Sequence, residues 1–160
     1  MTKLSFRERI DPSEAKLVES FLSAAPVKVG ELARALGLEV VVAPLPLNIS
    51  GSIEPRGNSF VIKVNRYEPK ARQRFTIAHE IAHYLLHRDR ISGGLVDSVL
   101  YRSKLASRLE AEANRLAADI IMPHDLIANH IVNLDMYDDK IDRLAERFNV
   151  SRQAAEIRLS

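Results

Sequence analysis

The chain has 160 residues, of which 46% are hydrophobic and 28% charged, with a formal net charge of +2. This balance is typical of one globular domain with a real core, and the net charge is too small to indicate nucleic-acid binding by itself. The chain contains no cysteine, which excludes disulfides and thiolate metal sites, so any metal must be held by His, Asp or Glu. Residues 1–10 carry charges where a signal peptide needs an apolar core, and no apolar run can span a bilayer. We therefore expect a cytoplasmic protein without a membrane segment.

The first half of the chain alternates helix and strand signals. Asp11-Pro12-Ser13-Glu14 combines a capping side chain with proline at the first helical position, which predicts a helix that ends by Pro26. A second short helix is predicted from Gly30 to Leu36 and ends at Gly37. Alternating and β-branched residues predict strands in three places, namely 38–43, 49–54 and 60–64. Residues 55–58 are predicted to form the turn between the last two strands.

The second half is predicted to be helical. A long helix suits residues 70–88, and a loop hinged at Gly93-Gly94 is expected over 89–100. Another long helix is predicted from 103 to 122, where Pro123 prevents its continuation, and the remainder also has helical character. The expected fold class is therefore α+β, with a small N-terminal sheet followed by a helical C-terminal part.

Two histidines with metal-ligand spacing lie in the first long helix. His79 and His83 are four residues apart, which places both imidazoles on one face of a helix where they can bind a single ion. Glu80 lies beside them and can take a proton from a water on the metal and later pass it to a leaving amine. The pattern predicts a zinc-dependent metallopeptidase that binds one zinc per chain.

The third ligand is harder to choose. His87 lies roughly 12 Å from His79 along a straight helix, so we interpret it as a helix-end histidine favoured by the helix dipole. Glu110 shares a helix face with Asn114 and with small or apolar side chains, so Glu110 is the favoured ligand and Asn114 a residue that orients a histidine. Glu112 points about 160° away, which favours solvent, and it remains the alternative ligand. On this interpretation, Glu110→Ala loses zinc while Glu112→Ala keeps both zinc and activity.

Two blocks of the sequence resemble the ImmA/IrrE family of metallopeptidases. They are RFTIAHEIAHYLLH at 74–87 and EAEANRLAADIIMP at 110–123. The resemblance implies a zincin-like fold, with His79, His83 and Glu110 as zinc ligands and Glu80 as the catalytic base. It also implies a protein substrate, since family members typically cut a helix-turn-helix repressor and so derepress a mobile element or a stress regulon. Ala82 and Leu116 depart from the residues often found in the family, but neither position supplies chemistry.

The sequence is divided into a zincin-like metallopeptidase domain, 1–123, and a helical tail, 124–160. Within the tail, Asn149-Val150 separates two helical stretches and Ser151 can cap the second, so the tail is similar to a helix-turn-helix unit. DNA binding is the less favoured interpretation, because acids interrupt the few basic residues of the second stretch. We favour packing or substrate recognition. The alternative to an enzyme is a non-enzymatic regulator, or a toxin–antitoxin-type partner that uses the zincin fold as a protein-binding surface.

Overall fold

The structure is a computed structural model that describes residues 2–92 and 104–160. The regular elements in these ranges are α1 (Pro12–Ser20), α2 (Val29–Ala35), β1 (Glu39–Ala43), β2 (Gly51–Arg56), β3 (Ser59–Asn65), α3 (Lys70–Ser92), α4 (Lys104–Ile121), α5 (His124–Ile131), α6 (Tyr137–Phe148) and α7 (Arg152–Leu159). A short 3₁₀ turn, Arg7–Arg9, precedes them. The predicted α+β class is confirmed. Among the described helices, none has the length and apolar character needed to cross a membrane.

The first two helices begin and end on local signals. The Asp11 carboxylate accepts the backbone N–H groups of Ser13 and Glu14, and Pro12 occupies the first position of α1. The helix ends at Ser20, before the predicted limit at Pro26, because the next two N–H groups bond to carbonyls three residues back and close the last turn. The second helix ends as predicted, with Gly37 at a φ of 85°.

The sheet has three strands in the order β1–β3–β2, with β1 parallel and β2 antiparallel to β3. The strand β2 runs two residues further than predicted, through Pro55 and Arg56, so the turn is only Gly57-Asn58. Proline is tolerated there because β2 is an edge strand of the described sheet and its outer side needs no ladder bond. Gly57 has a φ of 59°, which suits a two-residue hairpin turn.

Gly51 sets the distance between the edge strand and the long helix α3. A Cβ atom at this position would lie 2.5 Å from both the Lys63 carbonyl oxygen and the Thr76 Cγ2 atom. Glycine therefore allows β2 to pack closely beside the N-terminal half of α3. This contact places the edge strand β2 of the described sheet next to the helix that carries the two predicted histidine ligands.

The long helix α3 extends further than the sequence predicted. It continues to Ser92 instead of ending at residue 88, and it is kinked at His87, whose φ of −127° and ψ of 25° are not helical. The predicted loop over 89–100 is thus wrong for residues 89–92, and its Gly93-Gly94 hinge lies outside the described residues. Helices α3 and α4 pack against each other and both bury alanines at the core, namely Ala78, Ala82, Ala113 and Ala117.

The C-terminal residues form three helices joined by short breaks. Helices α6 and α7 pack together, and Asn149 between them has a left-handed φ of 53°. Their apolar residues belong to the same core as the helices α3 and α4; they are Ile141, Leu144, Phe148, Val150 and Ala155. The division of the chain at residue 123 remains a prediction.

Asp119 fastens the N-terminal segment and the helix α7 to α4. The buried carboxylate accepts the backbone N–H of Ser5 at 2.8 Å and its hydroxyl at 2.7 Å. It also accepts a guanidinium N–H of Arg158 at 2.9 Å, and the same guanidinium donates to the Met122 carbonyl. The helical pattern of the sequence does not predict a buried, paired carboxylate at this position, because both partners of Asp119 come from distant parts of the chain.

Candidate metal centre

His79 and His83 lie one turn apart on the face of α3 that looks into a cleft. Their ring centroids are 4.6 Å apart with the rings nearly perpendicular. The side chain of His83 is only 1% exposed, whereas that of His79 retains partial access to solvent. The helical spacing read from the sequence therefore brings the two rings together at the cleft floor.

Glu110 on α4 faces both histidines. Its Oε1 atom lies 2.7 Å from His83 Nε2, and its Oε2 atom lies 3.2 Å from His79 Nε2. One ligand atom from each of the three residues lies within 4.8 Å of the others, and within the described part of the chain this is the group able to hold a metal ion. The sequence-predicted third ligand is thus placed opposite the two histidines.

The donor set suits zinc. Two imidazole nitrogens and one carboxylate are the ligands of many catalytic zinc sites, which leave a fourth position for water. Both ring nitrogens that converge are Nε2, and they meet the carboxylate at the cleft wall, where a substrate can reach them. The residues present therefore fit a catalytic zinc ion.

The charges at this cluster are strongly coupled. Burial opposes a charge on Glu110, but the hydrogen bonds from His79 and His83 outweigh it and hold the pKa of this carboxyl well below its usual range. Burial also acts to lower the pKa of His79, yet the bonds and charges of Glu110 and Glu80 raise the net value. For His83 the burial dominates, and its pKa is lowered. A neutral, buried His83 is the form that can donate a lone pair to a metal.

Asn114 lies where the sequence analysis expected it. Its Oδ1 atom is 2.8 Å from His79 Nδ1, one turn along α4 from Glu110. An amide oxygen can only accept, so His79 Nδ1 carries a proton and donates it to Asn114, and Nε2 is the ring nitrogen that remains for a metal. Asn114 therefore holds the orientation of the His79 ring.

Glu80 is buried on α3 and lines the same cleft as His79 and His83. Being next to His79 in sequence, it brings a second carboxylate to the floor of the cleft without joining the three converging donors. This is the placement that a base needs when it acts on a water beside the metal rather than on the metal itself.

His87 and Glu112 are both placed differently from the sequence expectation. His87 is buried within α3, not at the helix end, and its Nδ1 atom lies 2.9 Å from His83 Nδ1. Its Nε2 atom lies 2.8 Å from Glu112 Oε1. Glu112 is correspondingly not solvated: its side chain is 15% exposed and also accepts two bonds from Arg9, each 3.0 Å long. A helical wheel of a straight helix shows neither the kink at His87 nor the contact that Arg9 makes with Glu112 from a distant part of the chain.

Both members of this second pair have perturbed acidity. Burial lowers the pKa of His87. The hydrogen bond from Arg9 is the main reason that the pKa of Glu112 is lowered to about 2, with His87 adding to it. Glu112 is not among the three converging donors, so its role as the alternative ligand is disfavoured by its position.

The metal-site residues open into a cleft of about 1230 Å³. One side is the edge strand β2, with Gly51 and Ser52 among its lining residues. The helix α7 also contributes to the lining, with Gln153 and the largely exposed Ile157. Sequence analysis did not identify these lining residues, because only tertiary packing brings α7 and β2 to the same cleft.

Comparisons with known proteins agree with this geometry. A family model described as the IrrE N-terminal-like domain, a peptidase family, matches residues 33–160. The chain is 31% identical over 119 residues to the radiation response metalloprotease IrrE of Deinococcus radiodurans, covering 74% of this chain and 35% of that protein. It therefore spans about a third of the length of that relative.

A solved structure described as a Mycobacterium tuberculosis transcriptional regulator has a similar fold, with a TM-score of 0.62 and 21% identity over 89% of this chain and 44% of that one. At this identity the likeness concerns the fold alone. The family match over four fifths of the chain, together with the two histidines and the facing carboxylate, shows that the chain belongs to the ImmA/IrrE family of metallopeptidases.

Proposed function

We propose that the protein is a zinc-dependent endopeptidase that binds one zinc ion on His79, His83 and Glu110. The observation that carries this proposal is the convergence of the two Nε2 atoms and the Glu110 carboxylate within 4.8 Å at the floor of an open cleft. Zinc bound there would acidify a water molecule and polarise the carbonyl of a peptide bond.

The chain's own residues supply the remaining steps. Glu80 accepts the proton of the attacking water and later delivers it to the leaving amine, so that one carboxylate acts first as base and then as acid. Its burial beside His79 keeps it within the cleft and away from bulk water. Asn114 holds His79 in the tautomer that the site requires.

The shape of the cleft favours an extended peptide as substrate. The outer edge of β2 has no strand partner in the described sheet, and it runs along the cleft beside α3. Backbone groups of an edge strand can pair with an extended peptide and hold its scissile bond over the metal site. Lys63 and Glu54, which pair at the same wall, would meet the side chains of such a peptide.

We further propose that the substrate is a helix-turn-helix transcriptional repressor and that the protein acts in the cytoplasm. The support is the family resemblance, together with a relative that is named for the radiation response. The structural neighbour described as a transcriptional regulator is compatible with a role in regulation.

The helix pair α6–α7 is proposed to pack and to receive substrate rather than to bind DNA. Of the three residues of α7 that can read bases or phosphates, Arg158 is bonded to Asp119 and Arg152 is paired with Asp138 and Asp142. The third, Gln153, lines the cleft. Cationic groups that are already paired with acids contribute little to phosphate binding.

The test is to incubate the zinc-loaded protein with helix-turn-helix repressors from the same cell, with and without a chelator, and to measure fragment masses. We expect discrete fragments from one repressor that disappear with chelator. The matched control is Glu80→Gln, which keeps all three proposed ligands and should yield no fragments. If the protein binds a repressor and leaves it intact under all conditions, the non-enzymatic alternative replaces the protease.

A further inference from the structure

A chain of four hydrogen-bonded residues leads away from the proposed zinc ligand His83. His83 Nδ1 lies 2.9 Å from His87 Nδ1, and His87 Nε2 lies 2.8 Å from Glu112 Oε1. Glu112 in turn accepts two parallel bonds from the guanidinium of Arg9. The chain joins α3, α4 and the N-terminal 3₁₀ turn, and of its four residues only His83 belongs to the three converging donors.

One arrangement of protons satisfies the three links from His83 to Arg9 and also leaves His83 Nε2 able to bind a metal. Glu112, held as an anion by Arg9, can only accept, so the Nε2 atom of His87 must carry a proton and donate it. With its single ring proton on Nε2, His87 has a lone pair on Nδ1. That lone pair accepts the Nδ1–H of His83, and the Nε2 lone pair of His83 is then available to a zinc ion that would replace the hydrogen bond between Nε2 and Glu110.

The reverse arrangement, in which His87 donates to His83, fails at the metal-binding nitrogen of His83 and again at Glu112. If the proton between the rings belonged to His87, the proton of a neutral His83 would sit on Nε2 and block its bond to a metal. A neutral His87 would then present a lone pair to the Glu112 carboxylate at 2.8 Å, where two acceptors would face each other. The anion at the end of the chain therefore sets the direction of all the bonds.

We propose that Arg9, Glu112 and His87 are positioning residues that hold His83 in its metal-binding tautomer and orientation. This inference rests on the proposed function, because it assigns a purpose to these residues only if His83 binds zinc. It also revises the expectation that Glu112→Ala would keep zinc binding intact. Glu112 would act on the metal through His87 and His83, in the way that outer carboxylates commonly orient the ligands of zinc sites.

The chain offers a closely matched control. Arg7 and Glu19 form a similar arginine–glutamate pair, with an Nη2–Oε1 distance of 2.9 Å and side-chain exposures of 41% and 10%. The Arg9–Glu112 pair has a distance of 3.0 Å and exposures of 40% and 15%. The two arginines lie two residues apart in the same 3₁₀ turn, but only Arg9 is linked to a histidine through its partner. Stability losses from breaking a surface pair should therefore be alike in both.

The experiment measures zinc affinity by competition with a chromogenic chelator. His87→Ala and Glu112→Ala should bind zinc about 10–100-fold more weakly than wild type. Glu19→Ala should stay within about twofold of wild type, because its pair does not touch the zinc site. Glu112→Gln keeps an acceptor and fills the same volume, so the zinc affinity of this variant should fall between those of Glu112→Ala and Glu19→Ala. Glu112→Gln carries the test if Glu112→Ala does not fold.

A second readout separates positioning from general stability. Proton–nitrogen NMR of the histidine rings in the zinc-loaded protein should show a protected Nδ1–H on His83, lost in His87→Ala and retained in Glu19→Ala. If wild type binds zinc and both His87→Ala and Glu112→Ala keep its affinity and this resonance, the positioning role is refuted while the zinc site stands. If wild type holds no zinc, the proposed function fails and the positioning role fails with it.

Discussion

Replacing Asp119 by alanine should remove the ion pair that holds α7 against α4. The carboxylate is buried and pairs with Arg158 while accepting two bonds from Ser5. Removing one partner of a buried ion pair typically costs 3–5 kcal/mol, because the other charge is left without compensation. Arg158 keeps its bonds to the Met122 carbonyl, so we expect the lower end, about 3 kcal/mol.

The assay is urea unfolding followed by circular dichroism, with a thermal melt beside it. For a chain of this length a loss of about 3 kcal/mol corresponds to a fall in Tm of roughly 6–12 °C. Asp138→Ala is the matched control, since Asp138 pairs with Arg152, which lies on α7 as Arg158 does, but the Asp138 carboxylate is exposed. This variant should lose less than about 1 kcal/mol of unfolding free energy. Equal losses in Asp119→Ala and Asp138→Ala would show that the Asp119 pair does not anchor α7.

Three further outcomes are expected. Glu80→Gln should keep its zinc but cleave its substrate about 10²–10⁴-fold more slowly, and cleavage at the wild-type rate would remove Glu80 from the mechanism. Gly51→Ala should destabilise the fold by about 1–3 kcal/mol in urea unfolding, because its Cβ would collide with Lys63 and Thr76; an unchanged midpoint would mean that β2 does not approach α3 so closely. Asp11→Ala should lower Tm at neutral pH, because the hydrogen bonds from Ser13 and Glu14 lower the pKa of Asp11 and so stabilise the fold while the carboxylate is ionised. The difference in Tm should shrink as the pH falls through this lowered pKa, and a difference independent of pH would contradict the prediction.

Local periodicity was enough to predict which residues the structure brings together around His79 and His83. The four-residue spacing of His79 and His83 determines that both rings share a helix face, whatever the rest of the fold does. The choice of Glu110 followed from the same reasoning, because Ala117 and Ile121 on its face had to be buried, and the structure buries both. The same helix face also predicted that Asn114, one turn after Glu110, would lie beside a histidine, and it contacts His79.

Long-range contacts were the part that periodicity did not predict. Arg9 and Glu112 are 103 residues apart, and nothing local marks them as partners. A helical wheel assumes a straight helix with a polar outer face, so it placed Glu112 in solvent and His87 at a helix end. The kink at His87 and the N-terminal turn against α4 override that assumption, and the burial of Asp119 has the same origin.

Zinc binding by wild type and by Glu110→Ala is the measurement that tests the central claim most directly. Zinc stoichiometry and affinity are determined for both proteins by competition with a chromogenic chelator. Wild type should hold about one zinc per chain, and Glu110→Ala should bind it far more weakly, because only His79 and His83 remain as ligands. A wild-type protein that retains no zinc, or a Glu110→Ala protein that binds zinc as tightly as wild type, would contradict the site described.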